Sequence, residues 1–138
     1  MAFTWSSSLE TGHPVIDSQH KELINAINAL LAACQQGQAA DKAGPTLEYL
    51  TSYTKKHFGE EEVLQKKSNY PDYLNHHQYH ESFIKVITDL SAELKQTGPT
   101  AAVTQKIIRN VGDWLVTHIQ QQDTKVAAHI KKTGAGVV

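Results

Sequence analysis

Apolar residues recur at alternating spacings of three and four along four stretches of the chain, separated by short runs rich in Gly, Pro, Gln and Thr. That period is the face of a helix and not the alternation of a half-buried strand. The first stripe is Ile16, His20, Leu23, Ile27, Leu30 and Cys34, predicting a helix over roughly 17–35 that Asp17 or Ser18 would cap. The second, Leu47, Leu50, Thr54, His57, Glu61 and Leu64, predicts roughly 42–67 with Pro45 in the first turn. Tyr73, His76, His80, Phe83, Ile87, Leu90 and Leu94 form the third, over roughly 72–96, bounded by Tyr70-Pro71 before it and Gly98-Pro99 after it. The fourth carries Val103, Ile107, Val111, Trp114 or Leu115, and His118 over roughly 100–122, followed by a tail, 123–138, that is briefly helical to about Lys132 and frays over Gly134 to Val138. Connections this short between helices this long make neighbours antiparallel. The expectation is therefore one all-α domain over 1–138: an up-down-up-down four-helix bundle with an N-terminal arm and a short C-terminal helical tail.

The stripes contain residues a core should reject. His20, His57, Glu61, His76, His80 and His118 stand where Leu is expected, although burying imidazole or carboxylate is costly unless the group is paired or holds a metal. His57 and Glu61 are four apart, as are His76 and His80, so each pair shares a helix face and reaches a common point. One core-facing histidine is usually a hydrogen-bonded structural residue; five with a glutamate, drawn from all four helices, point to a metal. Imidazole nitrogen and carboxylate oxygen suit iron, manganese or zinc, and six such groups exceed what one tetrahedral zinc uses. His77 lies about 100 degrees round from His76 and pairs with Glu81 on the surface. Glu60 and Glu62 are off the stripe and expected in solvent, and His13 and His129 have no partner at ligand spacing. Asp123 follows His118 by five, which in a regular helix is a different face, so periodicity does not select it.

Composition narrows the class. The 138 residues, 15.3 kDa, are enough for one self-sufficient core. Thirteen basic against fourteen acidic residues give a net charge of -1, with no footprint for nucleic acid or a membrane surface. A single cysteine, Cys34, leaves no internal disulfide, and the first residues lack the charged and apolar regions of a signal peptide, so a cytoplasmic location is expected. No apolar run reaches the roughly 18 residues of a membrane span.

With those residues in place, the chain resembles the hemerythrin family, in particular its bacterial members. The matching motifs are Ile16-Asp17-Ser18-Gln19-His20, His57-Phe58-Gly59-Glu60-Glu61-Glu62, Tyr70-Pro71 followed by His76 and His80, and Trp114-Leu115-Val116-Thr117-His118 with Asp123. The resemblance implies a non-haem centre of two iron ions (Fe2+/Fe3+) with a bridging oxo or hydroxo group. His76, His80 and His118 would hold one iron, His20 and His57 the other, and Glu61 and Asp123 would bridge them, Asp123 reached either by a local widening of the helix or by the acid reaching sideways between the two irons. The second iron would keep an open position for molecular oxygen, in a dry pocket for which Phe58, Leu115, Ile119, Leu23 and Ile24 are candidate walls.

The resemblance also implies a monomeric oxygen binder for transport, storage or sensing and not an enzyme, with an oxygen-receiving or reductase partner. The alternatives are a di-iron enzyme acting on peroxide or oxygen, an iron-binding or detoxification protein, and a zinc hydrolase, for which no base outside the ligand set can be named. Two positions depart from the family pattern: Gln65 stands where a methionine is frequent, four residues beyond Glu61, and Val126 where a tyrosine often follows Asp123.

Overall fold

The computed structural model describes residues 3–133, so the frayed tail expected over Gly134 to Val138 lies outside the described residues. Four long helices carry the molecule: α1 (Pro14–Gln35), α2 (Ala39–Lys67), α3 (Tyr73–Thr97) and α4 (Ala101–His118). A π-helical turn, Ile119–Asp123, joins α4 to α5 (Thr124–Thr133). Packing runs α1 on α2, α2 on α3, α3 on α4 and α4 back on α1, with little across the diagonal, which is the square section of an up-down-up-down bundle. Among the described residues, no helix is long and apolar enough to cross a membrane.

The connections are short because the helices stop by backbone capping. After α1, Gly37 takes a φ of 73°, Gln38 N–H donates to the Ala33 carbonyl at 2.7 Å, and Gly37 N–H to Cys34 at 3.2 Å. After α2, Asn69 takes the same left-handed turn (φ 53°), with Tyr70 N–H donating to Gln65 and Asn69 N–H to Lys66. Thr100 starts α4, its side chain accepting from Val103 N–H at 3.2 Å.

Three expected boundaries shift. The α1 cap is His13, whose Nδ1 accepts from Ile16 N–H, with Pro14 preset for the first helical position; neither Asp17 nor Ser18 caps it. Asp17 instead accepts from Thr11 N–H (2.9 Å), Thr11 Oγ1 (2.7 Å) and Gly12 N–H (3.2 Å), tying down the preceding turn. In α2, Pro45 lies inside the helix, because Gln38 already accepts from Asp41 and Lys42 N–H and starts it at Ala39. The fourth helix is α-helical only to His118 and widens into the π turn before residue 122, and the helical tail expected to about Lys132 follows as α5.

Apolar side chains fill the end where α1 finishes, α2 begins, α3 finishes and α4 begins: Leu30, Leu47, Leu50, Ile87, Leu90 and Ile107 are buried together. The N-terminal arm is laid over α1 and α4. Phe3 exchanges hydrogen bonds with the Asn28 amide (2.8 and 2.7 Å), and its ring fits against Gly112, where a Cβ would stand 2.2 Å from it.

Candidate metal centre

All seven residues expected as ligands are buried, at 4% exposure or less, and they converge on the other end of the bundle. α1 brings His20 from its first turns, α2 brings His57 and Glu61, α3 brings His76 and His80, and α4 ends in His118. The π turn is what adds Asp123. One extra residue per turn rotates a side chain at i+5 onto the face that i+4 would hold, so Asp123 Oδ1 lies 3.0 Å from His118 Nε2.

Each carboxylate divides its oxygens between two groups of histidines. Glu61 Oε1 is 2.7 Å from His76 Nε2 and 3.2 Å from His80 Nε2, while Oε2 faces His57 Nε2 at 3.6 Å. Asp123 Oδ1 is 3.0 Å from His76 Nε2 as well as from His118, while Oδ2 is 2.8 Å from His20 Nε2. Two overlapping ligand sets result: Glu61, His76, His80, His118 and Asp123 in one, His20, His57, Glu61 and Asp123 in the other, with the donor atoms of each within 4.8 Å of one another.

The donor atoms fit cations better than they fit each other. His20 Nε2, His57 Nε2, His80 Nε2, both Glu61 oxygens and Asp123 Oδ1 are buried without a well-formed hydrogen bond, despite their close approaches. His76 and His118 bring their Nε2 atoms within 3.2 Å of each other. Lone pairs aimed at shared points are what metal coordination requires.

Electrostatics separate the histidines. Burial drives His57 down to about 4, more than the Glu61 charge can restore. Burial also acts on His76, but bonds to Asp123 and Glu61 overcome it and push the imidazole up to about 9. His20 is likewise raised, burial being outweighed by Asp123. The Asp123 carboxyl is held well below its ordinary range, since the charge and bond of His118, with bonds from His20 and His76, outweigh burial. Glu61 is lowered too, against burial and the Asp123 charge, by the close approach of His76 and His80.

An outer layer orients two of the rings. His80 Nδ1–H donates to Glu62 Oε2 at 2.8 Å, and Glu62 Oε1 accepts from His77 at 2.8 Å and Tyr73 OH at 3.3 Å. His57 Nδ1–H donates to Gln19 Oε1 at 2.5 Å, and Gln19 Nε2 in turn donates to Glu60 at 2.7 Å. A proton fixed on Nδ1 leaves Nε2 free as a ligand atom. Glu62 is thus not the freely solvated residue its position off the stripe suggests. Glu62 and Gln19 each sit beside a ligand in sequence, about 100 degrees off the stripe, and their partners are on other helices, so no single-helix period marks them. His77 stays at the surface, also 3.4 Å from Glu81, and His129 is spent on the Ser68 carbonyl at 2.7 Å.

The five residues expected as pocket walls are all buried in the main apolar cluster. Phe58 lies flat on the His80 ring (3.7 Å between centroids, 3° between planes) and so lines the site directly. Leu23, Ile24, Leu115 and Ile119 belong to the same apolar body. Trp114, half-buried, stacks on His118 at 4.4 Å.

Comparison with known proteins gives one reading. Residues 11–130 match the family model described as the hemerythrin HHE cation-binding domain. The chain is 34% identical over 119 residues to a bacteriohemerythrin of Pseudomonas paraeruginosa, covering 86% of this chain and 75% of that one. It is 31% identical over 127 residues to a bacteriohemerythrin of Stenotrophomonas maltophilia, at 92% and 80% coverage. With a hemerythrin of Phascolopsis gouldii it shares 30% over 128 residues, 93% of each chain. A crystal structure of a hemerythrin variant superposes with a TM-score of 0.82 at 28% identity, covering 94% of this chain and 98% of that one.

Proposed function

Because the chain belongs to the hemerythrin HHE cation-binding family, we propose that it binds molecular oxygen reversibly at a centre of two iron ions. The observation that carries the assignment is the split of both buried carboxylates: one oxygen of each faces histidines of the group His76, His80 and His118, and the other faces His57 (from Glu61) or His20 (from Asp123). On this reading His76, His80 and His118 would hold one iron and His20 and His57 the second, with Glu61 and Asp123 reaching both. Two irons held by these residues would supply the redox chemistry, lending electrons to oxygen on binding and recovering them on release.

The chain's own residues do the rest. Glu62 and Gln19 hold His80 and His57 with Nε2 unprotonated, and the negative Glu62 makes the His80 nitrogen more basic. The His20 and His57 set offers one donor residue fewer than the other, so oxygen would enter on that side. Phe58, Leu115, Ile119, Leu23 and Ile24 keep bulk water from the bound molecule, which slows its loss as peroxide.

Purified protein should carry about two irons per chain. Reduced without air and then exposed to oxygen, it should develop a charge-transfer absorption that disappears on degassing. His118→Ala should abolish that band together with iron retention. A reduced, iron-loaded protein whose spectrum ignores oxygen would overturn the reading.

A further inference from the structure

The face of α2 that carries His57 and Glu61 continues to Gln65, which is fully buried, and not to Leu64, which is only half-buried. Gln65 follows Glu61 by one helical turn and meets no solvent, yet neither its amide oxygen nor its amide nitrogen has a hydrogen-bond partner. Among the described residues outside the ligand cluster and the N-terminal arm, no other buried side chain is left in this way. The buried hydroxyls nearby behave differently: Thr54 bonds back to the Leu50 carbonyl and Ser68 to the Gln65 carbonyl. A buried amide with nothing to bond is costly, and proteins relieve that cost with internal water.

The layer around Gln65 follows from the topology. Ile16 lies one turn before His20 on the antiparallel α1, and Val126 lies three residues after Asp123 on the segment that runs parallel to α2. Ile16, Tyr70, Val126 and Ile130 form one apolar cluster, with Leu64 and Tyr73 packed on it. Gln65 is therefore a polar group set one turn beneath Glu61 at a level otherwise lined by hydrocarbon and the phenols of Tyr70 and Tyr73. Val126, fully buried in that cluster, offers the amide no polar group. Burial pushes the hydroxyl of Tyr70 up, and the Asp72 charge, then those of Asp123 and Glu61, add to it.

We propose that Gln65 anchors an internal water beside Glu61, and that this water is the path by which protons reach the oxygen site and limit how long oxygen stays bound intact. The inference rests on the oxygen-binding reading above. Irreversible loss of bound oxygen as hydrogen peroxide takes one electron from each of two ferrous irons and two protons from solvent, leaving both irons ferric. A polar relay under the carboxylates supplies those protons from the side opposite the Phe58 wall. Gln65 acts as a positioning residue, holding the water and not touching the oxygen.

The test uses iron-loaded protein. A crystal structure should show water within hydrogen-bond distance of the Gln65 amide, absent in Gln65→Met, which keeps similar volume without the donor and acceptor. Spontaneous oxidation of the oxygen-loaded protein should slow at least about threefold in Gln65→Met and lose most of its solvent deuterium effect, with oxygen affinity unchanged. Gln65→Leu provides the same readout should the methionine variant fold poorly. An amide satisfied by protein groups alone, or an oxidation rate and isotope effect unaltered by both substitutions, would overturn the proposal. Failure of the wild type to take up oxygen would instead remove the functional reading, and the crystal structure would still decide whether the amide holds water.

Discussion

The two ends of the bundle are built from the same four helices and obey opposite rules. At one end Leu30, Leu47, Leu50, Ile87, Leu90 and Ile107 meet with almost no polar atom between them, and burial alone holds the helices together. At the other, five histidines and two acids occupy equivalent heights, and several of their buried nitrogens and oxygens lack hydrogen bonds. The apolar end can therefore stabilise the bundle without help, whereas the polar end gains stability from the ions it collects. The polar end is tolerated because the apolar end is dry and complete.

Removing the metal should disturb that contrast most. Chelation should lower stability by about 4 kcal/mol or more, the gain expected at a thousandfold excess over the dissociation constant. Hydrogen exchange should place the loss in the first turns of α1 and in the segment after His118, and an equal loss at the apolar end would refute the division. Next comes the apolar end itself. Leu50→Ala should cost about 2–5 kcal/mol in a denaturant melt, while the folded fraction keeps its iron stoichiometry.

Acidity separates the two ends further in the metal-free protein. His57, pulled down to about 4 by burial, resists protonation only in the folded state, so stability falls as pH drops from 6.5 through 4. His76, pushed up to about 9 by Asp123 and Glu61 against burial, contributes stability that is present below 6.5 and lost as pH rises through 9. Urea titrations should thus show a maximum near neutrality, falling by about 2 kcal/mol on each flank. A metal-free protein whose stability is flat from pH 4 to 9 would mean the histidines do not titrate as the geometry requires.

Smaller effects belong to single supporting groups. Glu62→Gln should weaken metal binding by about tenfold while leaving the thermal midpoint of the metal-free protein nearly unchanged. Thr100→Ala, at the start of α4 and on the apolar end, should do the reverse, costing about 1 kcal/mol of stability with no effect on metal affinity. If either variant showed the other's signature, the independence of the two ends would fail.

Much of this is legible along the chain because helices repeat. A period near 3.6 places His57 with Glu61 and His76 with His80 without knowing any neighbour, and the four stripes and short connections imply the bundle. The departures also have physical causes. Periodicity favours Leu64 over Gln65 as the core position, since a spacing of three to a leucine looks better than a spacing of four to an amide. The helix instead turns Gln65 inward. Pro45 reads as a helix start, but a backbone carbonyl at Gln38 has already begun the turn.

Periodicity along one chain thus carries the class of fold, six of the seven residues that converge, and the presence of polar groups where a core should be apolar. Asp123 enters only by likeness to a family, because a regular helix points it away from His118. The π turn that brings it inward depends on Asp123 finding His20 and His76 across the bundle. The partners of His57 and His80, the division of each carboxylate between two groups of nitrogens, and the unsatisfied amide of Gln65 belong to the tertiary structure alone. Each depends on distances between helices, and no period within a single helix encodes a distance to another.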